Sequence, residues 1–529
     1  MSTAAGALPS TPADNARAST RDWLAVTAAI LGPFMALLDI QITNSSLANI
    51  EGSLGASSDE GSWISTAYLM AEILVIPLTG WLASVIGLRR YLATNTLLFI
   101  GFSIGCALST TLDQMILFRA GQGFTGGVLI PTAIVIVRTR LPKAQQMIGV
   151  SLIGFTATFA PAIGPTVGGW VTDNFSWHYI FYMNVLIGPI AVVIQLVALD
   201  AVPARWGELL KADWIGIGFM AVGLPLLTFV LEEGQRKDWF DSPTILNAAI
   251  IGIMCVICCV IRELLAKRPF INLRVLANRS VGSACFLMTV GGSVSYGAIY
   301  IIPVYCAQIQ GYNPQQIGYV VMWSGLPQIA LMPVMPLLMR IVDTRLLVII
   351  GTLFYIASCW INVGLTHDVG MGQLILPQLL RAMGQPLFTI PLSQLATVGL
   401  APRDTADASA LSNMMRNLGG SIGIAMLSTI VERREHFHFS MLAEAITVNA
   451  TRTQERLSTL AASMHAHVTD PVVAKAQALA RLAAQVRQEA YVMAYADGFY
   501  LVGVSLVLSL GAVAILRKPQ KARSPVETR

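Results

Sequence analysis

The sequence predicts an all-α polytopic membrane protein whose chain crosses the bilayer fourteen times. Of its 529 residues, 55% are hydrophobic and only 12% are charged, and the mean hydropathy is +0.65. A soluble domain has about 25% charged residues, so this chain has about half the charge that a water-exposed surface needs. The composition excludes a cytosolic enzyme, a disordered chain and a nucleic-acid-binding protein, and the net charge of +5 is too small for a polyanion-binding surface.

Fourteen apolar segments are long enough to cross a membrane. Roughly 20 residues at about 1.5 Å each span a hydrocarbon core about 30 Å thick. Charged residues or Gly and Pro clusters separate the segments and mark their ends. The predicted spans are 23–45, 62–84, 91–110, 115–138, 145–170, 179–199, 213–231, 243–263, 281–309, 315–339, 345–365, 371–397, 407–432 and 496–516.

The positive charges indicate how the chain is oriented. With the N-terminus inside, the inner segments contain 22 Lys and Arg residues and the short outer loops contain two, Arg236 and Lys237. Cytoplasmic loops carry an excess of Lys and Arg, whereas a long segment such as 433–495 crosses largely regardless of charge. We therefore expect a multi-pass protein of the inner (cytoplasmic) membrane with both termini in the cytoplasm.

Two short patterns occur twice, which predicts an internal repeat. The matching pairs are Leu117 to Gln122 with Leu379 to Gln385, and Pro77 followed by Arg89 with Pro333 followed by Arg345. Their offsets of 262 and 256 align the second and fourth spans with the tenth and twelfth. The chain is thus predicted to have two six-helix halves with two inserted helices between them. Parallel repeats of this kind are typical of transporters that bind their substrate near the midplane between the halves.

These patterns divide the chain into seven regions. They are a disordered cytoplasmic tail (1–22), an N-terminal six-helix half (23–200), two inserted linker helices (201–265), helices 9–13 of the C-terminal half (266–432), an extracytoplasmic helical hairpin (433–495), the last helix (496–516) and a cytoplasmic tail (517–529).

The outer segment 433–495 has the pattern of an amphipathic helix. Asp470 followed by Pro471 is a typical helix start. Apolar residues then recur at steps of three or four, namely Val472, Ala476, Leu479, Leu482, Val486, Ala490 and Met493. This apolar stripe fits docking on a partner and packing on the other helix of the hairpin equally well.

Five ionisable residues lie in the middle of predicted spans: Asp39, Glu72, Arg119, Arg381 and Arg416. Each costs about 2.5–3.5 kcal/mol on insertion scales, so each is a candidate for function. A carboxyl group in hydrocarbon favours its protonated form, and a neighbouring Arg favours the ionised form. Movement between these environments would load and release a proton, so Asp39 and Glu72 are candidates for proton coupling. The alternative is that either one only hydrogen-bonds a neighbouring helix.

The three arginines have different predicted roles. Arg119 remains charged at any relevant pH, so it cannot carry the proton but could tune a carboxylate or bind an oxygen-rich partner. Arg381, its counterpart in the repeat, has no identified acidic partner within the C-terminal spans. Arg416 is followed by Gly419, Gly420 and Gly423, which favours close helix packing there.

Other side chains support transport rather than catalysis. Five aromatic residues, Tyr68, Phe155, Phe159, Tyr296 and Tyr300, are candidates to line an apolar cavity, although such residues also pack in cores or face lipid. All seven cysteines lie in apolar runs, where they act as small hydrophobic residues rather than metal ligands. None of the seven lysines follows a glycine, which excludes the phosphate-binding loop of an ATP-driven pump. We expect no cofactor and no metal, and a proton gradient as the energy source.

Several motifs are similar to those of a known family. They are Leu38 to Leu47, Gly80 to Arg90 (with Gly80, Gly87, Arg89 and Arg90), Leu117 to Gly123, Gly164-Pro165-Thr-Val-Gly168-Gly169, Ser176 to Asn184, Gly234 to Phe240 and Arg416 to Gly420. On these residues the chain resembles the major facilitator superfamily, and within it the fourteen-helix drug:proton antiporters of the EmrB/QacA type. Two positions depart from the family pattern. Ser84 replaces a common Asp, which weakens the expectation of the salt bridge attributed to the loop 2–3 motif, and His178 replaces a common Arg.

The resemblance implies the major facilitator fold and proton-coupled export of amphipathic or hydrophobic compounds by alternating access. Gly164, Pro165, Gly168 and Gly169 match the fifth-helix antiporter motif, where a bent, closely packed helix suits a hinge or seal, although glycine-rich packing alone gives the same pattern. The resemblance also implies a tripartite pump, in which 433–495 docks a periplasmic adaptor that leads to an outer-membrane channel. The alternatives are a proton-coupled transporter of a narrow natural substrate such as a fatty acid, and a membrane scaffold.

Overall fold

The structure is a computed structural model that describes residues 18–209, 212–266, 272–312, 314–332, 334–397, 400, 402–447, 450–465, 470–513 and 516. Most of the predicted tail 1–22, all of the predicted tail 517–529, and Pro333 of the second repeat pair lie outside the described residues.

Helices make up nearly all of the described part of the chain, and no strand occurs in it. The α-helices are α1 (Thr20–Ser45), α2 (Leu47–Leu54), α3 (Ser58–Gly61), α4 (Trp63–Ile86), α5 (Leu88–Ala107), α6 (Leu112–Gly126), α7 (Leu129–Arg140), α8 (Lys143–Asn174), α9 (His178–Ala198), α10 (Trp206–Leu209), α11 (Trp214–Glu233), α12 (Pro243–Leu265), α13 (Arg279–Gln308), α14 (Pro314–Met322), α15 (Leu326–Leu331), α16 (Met335–Ile341), α17 (Thr344–Val363), α18 (Met371–Leu395), α19 (Pro402–Ala445), α20 (Thr451–His465) and α21 (Pro471–Val513). Short 3₁₀ helices cover Gln235–Lys237, Trp239–Asp241 and Leu273–Ala277.

All fourteen predicted spans coincide with helices, which confirms the all-helical polytopic fold. Among the described residues, nine helical stretches are long and apolar enough to cross a membrane by length and composition. The total of fourteen crossings stays a prediction. The fourth predicted span is divided into α6 and α7 at Gly127. The tenth is divided into α14, α15 and α16 by one break around Gly325 and a second between Leu331 and Met335.

The outer surface of the helices is apolar. Large aliphatic side chains there are exposed to the surroundings, including Leu98, Leu186, Val193, Ile250, Ile257 and Leu353. An apolar surface of this extent is unfavourable in water but is what a helix needs when it contacts lipid tails.

The packing pattern of the first helices recurs later in the chain. In the N-terminal half, α1 packs against α8 and α9, and α5 packs against α6 and α9. In the C-terminal half, α13 packs against α19 and α21, and α17 packs against α18 and α21. This recurrence agrees with two related halves. The inserted helices α11 and α12 pack on each other, and α11 also contacts α4 of the first half and α19 of the second.

We call the face at which α1 begins the proximal face and the face at which it ends the distal face. Helices α19 and α21 have 44 and 43 residues and are therefore each about 65 Å long. A hydrocarbon core is about 30 Å thick, so both helices extend well beyond it. Residues 433–495, which we call the distal extension, contain the end of α19, all of α20 and the beginning of α21.

The distal extension has its own polar contacts. Arg487 donates a hydrogen bond to the buried Glu435 at 3.0 Å, which ties α21 to α19. The buried face at the start of α21 contains Ala474 and Ala478, whereas Val472 and Leu479 of the predicted stripe are 76% and 59% exposed. The predicted stripe is therefore buried at Ala490 and open at Val472 and Leu479, and its role in docking stays a prediction.

Candidate functional site

A buried ion pair joins two helices of the N-terminal half. Arg119 Nη1 on α6 lies 2.5 Å from Asp39 Oδ2 on α1, and each side chain is only 1% exposed. Arg119 Nε also donates to the carbonyl oxygen of Ile64 on α4 at 3.2 Å. Asp39 is six residues before the end of α1, so the pair lies nearer the distal face than the proximal face.

Neutral polar side chains complete the surroundings of Asp39. Asn184 on α9 donates to Asp39 Oδ1 at 2.7 Å, and Gln122 on α6 donates to the same oxygen at 3.2 Å. Ser103 on α5 donates to the carbonyl oxygen of Phe181 and lies 2.9 Å from the amide of Asn184. The cluster thus connects α1, α4, α5, α6 and α9. Gln122 and Asn184 lie within sequence motifs, but sequence reasoning gave them no role.

Tyr68 on α4 lies beside the guanidinium of Arg119, whose Cζ is 4.4 Å from the centre of the Tyr68 ring. Cation–π contacts of this kind are strengthened when the pair is removed from water. Glycines on α6 allow the approach, because a Cβ atom on Gly123 would be 2.1 Å from the carbonyl oxygen of Tyr68. Tyr68, a predicted cavity-lining residue, is therefore buried against the ion pair and only 1% exposed.

Glu72 occupies a different position, one turn of α4 further from the distal face. Among the described residues, its carboxylate has no hydrogen bond or ion pair. Its electrostatic partners are Arg119 in its own half and Arg416 on α19 of the other half. The Nε atom of Arg416 is buried without a hydrogen-bond partner in the described part of the chain. The positive charge of Arg416 thus acts on Glu72 from α19, a helix that packs against α4, which the sequence pattern around Arg416 did not predict.

Arg381 is the buried cation of the C-terminal half. It is 5% exposed, and its Nη2 and Nε atoms donate to Gln378 Oε1 at 2.8 and 3.2 Å. No ion pair to it is found in the described part of the chain. The repeat therefore places one buried arginine in each half, Arg119 with a carboxylate and Arg381 with an amide.

The glycines of the fifth-helix motif lie where α8 approaches α1. A Cβ atom on Gly164 would be 2.4 Å from Cβ of Gln41, and one on Gly168 would be 3.0 Å from Cα of Ile42. Both glycines are buried. Pro165 and Gly169 lie in the same continuous helix. The motif therefore allows backbone-to-backbone packing of α1 and α8 close to the helix end that follows Asp39.

The loop 2–3 motif follows α4 on the proximal face. Gly87 has φ +92°, a conformation that favours glycine, and a Cβ atom there would be 2.9 Å from the carbonyl oxygen of Val202. Ser84 donates to the carbonyl oxygen of Trp81 at 2.7 Å. Arg89 and Arg90 begin α5, while Gly80 lies on an open face of α4 with nothing within 4 Å of its Cβ position.

The remaining aromatic candidates lie in two places. Phe155 and Phe159 on α8 stack with their ring centres 5.0 Å apart. Tyr296 contacts Gly420 of α19, and Tyr300 is 38% exposed. A cleft of about 400 Å³ lies between the distal extension and the loop before α18, and its lining includes His367, Leu442 and Gln485. The role of the aromatic residues in substrate binding stays a prediction.

Two adjacent carboxylates at the end of α11 bind both halves. Glu233 is buried and accepts hydrogen bonds from Ser62 at 2.8 Å and Thr66 at 3.1 Å, which belong to the N-terminal half. Glu232 interacts with Ser421 of α19 in the C-terminal half. The inserted helix therefore ties the halves together near the distal face. The predicted seventh span ended at residue 231, so these two residues received no role from the sequence.

The site brings two ionisable carboxyl groups close to one guanidinium. The described residues contain no group of three or more His, Cys, Asp or Glu side chains placed to hold a metal ion. Asp39 and Glu72 both interact with Arg119, so protonation of one carboxyl group leaves the guanidinium with the other as its counter-charge. An arrangement of this kind can link the protonation of two carboxyl groups to the contact between the halves.

Known proteins resemble this chain in family and over most of its length. A family model described as the Major Facilitator Superfamily matches residues 29–424. The Colistin resistance protein EmrB of Acinetobacter baumannii is 32% identical over 443 residues, which cover 83% of this chain and 86% of that protein. The Multidrug export protein EmrB of Escherichia coli (strain K12) is 29% identical and the Fatty acid resistance protein FarB of Neisseria gonorrhoeae is 28% identical. Each of these two matches covers 92% of this chain and 94% of the relative.

A solved structure has a similar fold. A crystal structure of a mutant of the peptide transporter POT, in complex with sulfate, superimposes with a TM-score of 0.58 and 15% sequence identity. The match covers 93% of this chain and 95% of that one. At this identity the likeness shows the shared fold alone.

Proposed function

The chain belongs to the Major Facilitator Superfamily, and from this premise we propose that it exports amphipathic or hydrophobic compounds in exchange for protons. The observation that carries the proposal is the set of buried charges in the N-terminal half, with Asp39 paired to Arg119 and Glu72 placed between the halves. A membrane scaffold has no need of such charges. The similarity to multidrug export proteins over nearly the whole chain supports the same conclusion.

The proposed mechanism begins with Asp39. When it is ionised, Arg119, Gln122 and Asn184 all donate to its carboxylate. Protonation removes the charge that balances Arg119, and the guanidinium then depends on Glu72 for its electrostatic partner. Arg119 thereby passes the change at Asp39 to the second carboxyl group.

Glu72 carries the change to the other half. Its ionised form attracts Arg416 of α19, and its protonated form does not. Protonation would therefore weaken the attraction between α4 and α19 and allow the halves to separate on one face. This is the change that alternating access requires. The helix α8, which packs closely on α1, forms another contact between the halves because it also packs against α14.

A proton gradient supplies enough energy for this exchange. One proton moving down about 100 mV releases roughly 2.3 kcal/mol, and one pH unit adds about 1.36 kcal/mol. Together they sustain a several-hundred-fold concentration gradient of a neutral substrate for each proton.

The test is transport by purified protein in proteoliposomes with an imposed pH gradient. We expect the wild type and Asp113→Asn, a variant at an exposed acid in the first turn of α6, to transport a cationic dye at the same rate. Asp39→Asn and Glu72→Gln should lose gradient-driven transport. If both variants kept the full rate, the coupling assignment would be wrong.

We also propose that the distal extension docks a periplasmic adaptor of a tripartite pump with an outer-membrane channel. The exposed Val472 and Leu479 give α21 an apolar strip that contacts no other part of the described chain closely enough to be buried. Deletion of 441–490 should spare gradient-driven transport and abolish adaptor binding, and the double change of Val472 and Leu479 to Ser should weaken binding in the intact chain. Retained binding by the deletion variant would refute the docking proposal.

We propose further that the protein lies in the inner membrane with both termini cytoplasmic, as the distribution of Lys and Arg indicates. A green fluorescent protein fused to the C-terminus should fluoresce in cells, because it folds in the cytoplasm and not after export through the general secretion route. A dark fusion that is nevertheless inserted in the membrane would contradict this orientation.

A further inference from the structure

The C-terminal half contains a buried positive charge that the proposed proton pathway does not use. Arg381 lies in the middle of α18 and is 5% exposed. Its hydrogen-bond acceptor is the neutral amide of Gln378, and the titratable groups that interact with it are the Tyr355 hydroxyl and the Cys359 thiol, both uncharged at neutral pH. A guanidinium cannot release its proton at any relevant pH, so its charge must be balanced by another group.

The described part of the chain provides no acidic side chain that balances this charge. Between residues 279 and 403, which include α13 to α18, the only acidic residues are Asp343 and Asp368. Asp343 caps the start of α17 and Asp368 lies in the loop before α18, so both are at helix ends. In the N-terminal half, by contrast, Asp39 of α1 balances the corresponding Arg119.

The internal repeat shows what is missing. An offset of 256 residues places Ser295 of α13 at the position of Asp39 in α1. Ser295 Oγ lies 2.9 Å from the hydroxyl of Tyr355, which is the tyrosine beside Arg381. The second half therefore has an arginine in the corresponding helix, and a neutral hydroxyl pair where the first half has a carboxylate.

A second cation increases the positive potential at this place. Arg416 of α19 also interacts with Tyr355, and its Nε atom has no hydrogen-bond partner in the described part of the chain. Arg416 also acts electrostatically on Glu72 of the other half, but a single carboxylate neutralises one of the two arginines at most. Hydroxyl groups of Ser295 and Tyr355 beside two arginines form a donor set suited to a carboxylate or similar oxyanion.

We propose that Arg381 binds the anionic headgroup of an exported amphipathic compound, with Ser295 and Tyr355 as hydrogen-bond donors to the same group. The site rests on the proposed export function and specifies one class of substrate, amphipathic anions such as long-chain carboxylates. The substrate headgroup takes the place that Asp39 occupies beside Arg119 in the other half. An arginine that is left unbalanced in the empty protein is balanced when the substrate is bound.

Equilibrium binding to the full chain in phosphatidylcholine nanodiscs tests this site, since these lipids carry no net negative charge that could compete. The probes are dodecanoate, its uncharged methyl ester and dodecyltrimethylammonium, all at pH 7. The wild type should bind dodecanoate at least tenfold more tightly than the ester. Arg381→Gln should remove the preference for dodecanoate and leave ester binding unchanged. Arg381→Lys should retain part of the preference. The control Arg279→Gln, which changes an exposed arginine at the start of α13, should retain all of the preference.

Ser295→Asp provides an independent variant if Arg381→Gln does not fold. The new carboxylate would compete with the substrate for Arg381, so dodecanoate affinity should fall about tenfold while ester affinity remains. Unchanged dodecanoate preference in Arg381→Gln or in Ser295→Asp, or an equal loss for dodecanoate and ester, would overturn the proposal. Gradient-driven transport of the cationic dye by the wild type separates this outcome from failure of the export function. If the wild type transports the dye and the dodecanoate preference survives in the variants, only the anion site is wrong, whereas a wild type that does not transport the dye contradicts the export function itself.

Discussion

Replacement of Asp39 by Asn tests the buried ion pair most sharply. The carboxylate accepts hydrogen bonds from Arg119, Gln122 and Asn184, and the asparagine amide offers one oxygen and turns an N–H group toward these donors. Removal of one partner from a buried ion pair costs about 3–5 kcal/mol, because the other charge stays buried without balance. Arg119 keeps its hydrogen bond to Ile64 and its contact with the Tyr68 ring, so we expect the lower end, about 3 kcal/mol of unfolding free energy.

The double variant Asp39→Asn, Arg119→Gln separates stability from coupling. It removes both charges, so it should recover most of the lost unfolding free energy in a denaturant titration of the purified protein. Gradient-driven transport should remain absent, whereas exchange of substrate without a pH gradient should persist in Asp39→Asn. A double variant that regained both stability and gradient-driven transport would show that the pair is structural, and our reasoning about Asp39 would fail.

Two other substitutions follow from the geometry. Glu72→Gln removes a carboxylate that has no hydrogen bond among the described residues, so the unfolding free energy should change by less than about 1 kcal/mol. Gradient-driven transport by this variant should fall at least tenfold. A large loss of stability would instead indicate a structural role for Glu72. Gly164→Ala places a Cβ atom 2.4 Å from Cβ of Gln41 and should cost about 1–3 kcal/mol by separating α1 from α8. The matched variant Gly80→Ala, with nothing within 4 Å of the new atom, should be neutral or slightly stabilising. Equal effects of the two glycine changes on the denaturation midpoint would contradict the packing explanation.

The helices of this protein could be predicted from its sequence because a membrane sets their length. Each apolar run of about 20 residues must satisfy its backbone hydrogen bonds internally, and a helix does so. The breaks within the fourth and tenth spans were not predicted. Gly127 and Gly325 lie at two of these breaks, but an isolated glycine in an apolar run is also compatible with a continuous helix.

The candidate charges could be recognised from the sequence, but their pairing could not. Asp39, Glu72 and Arg119 are unusual in apolar segments and were identified on that ground. The choice of Asp39 rather than Glu72 as the partner in contact with Arg119 depends on how α1 and α6 pack, which residues far apart in the chain determine. Asn184 is such a residue, since it approaches Asp39 from α9 across 145 positions of sequence.

The contacts of the inserted helices also depend on tertiary packing. Glu232 and Glu233 are ordinary residues at the end of a predicted span, and only the position of α11 between α4 and α19 brings them to both halves. The buried positions at the start of α21 depend on packing in the same way. Ala474 and Ala478 lie outside the predicted apolar stripe and are nevertheless fully buried, because a neighbouring helix approaches them closely.

Proton release on substrate binding tests most directly whether the buried carboxyl groups are the coupling device. The purified wild-type protein, in weakly buffered solution with a pH indicator, should release protons when a cationic substrate is added, and Asp39→Asn and Glu72→Gln should each release fewer. Equal proton release from the wild type and from the variant lacking both carboxyl groups would show that neither Asp39 nor Glu72 exchanges its proton with substrate.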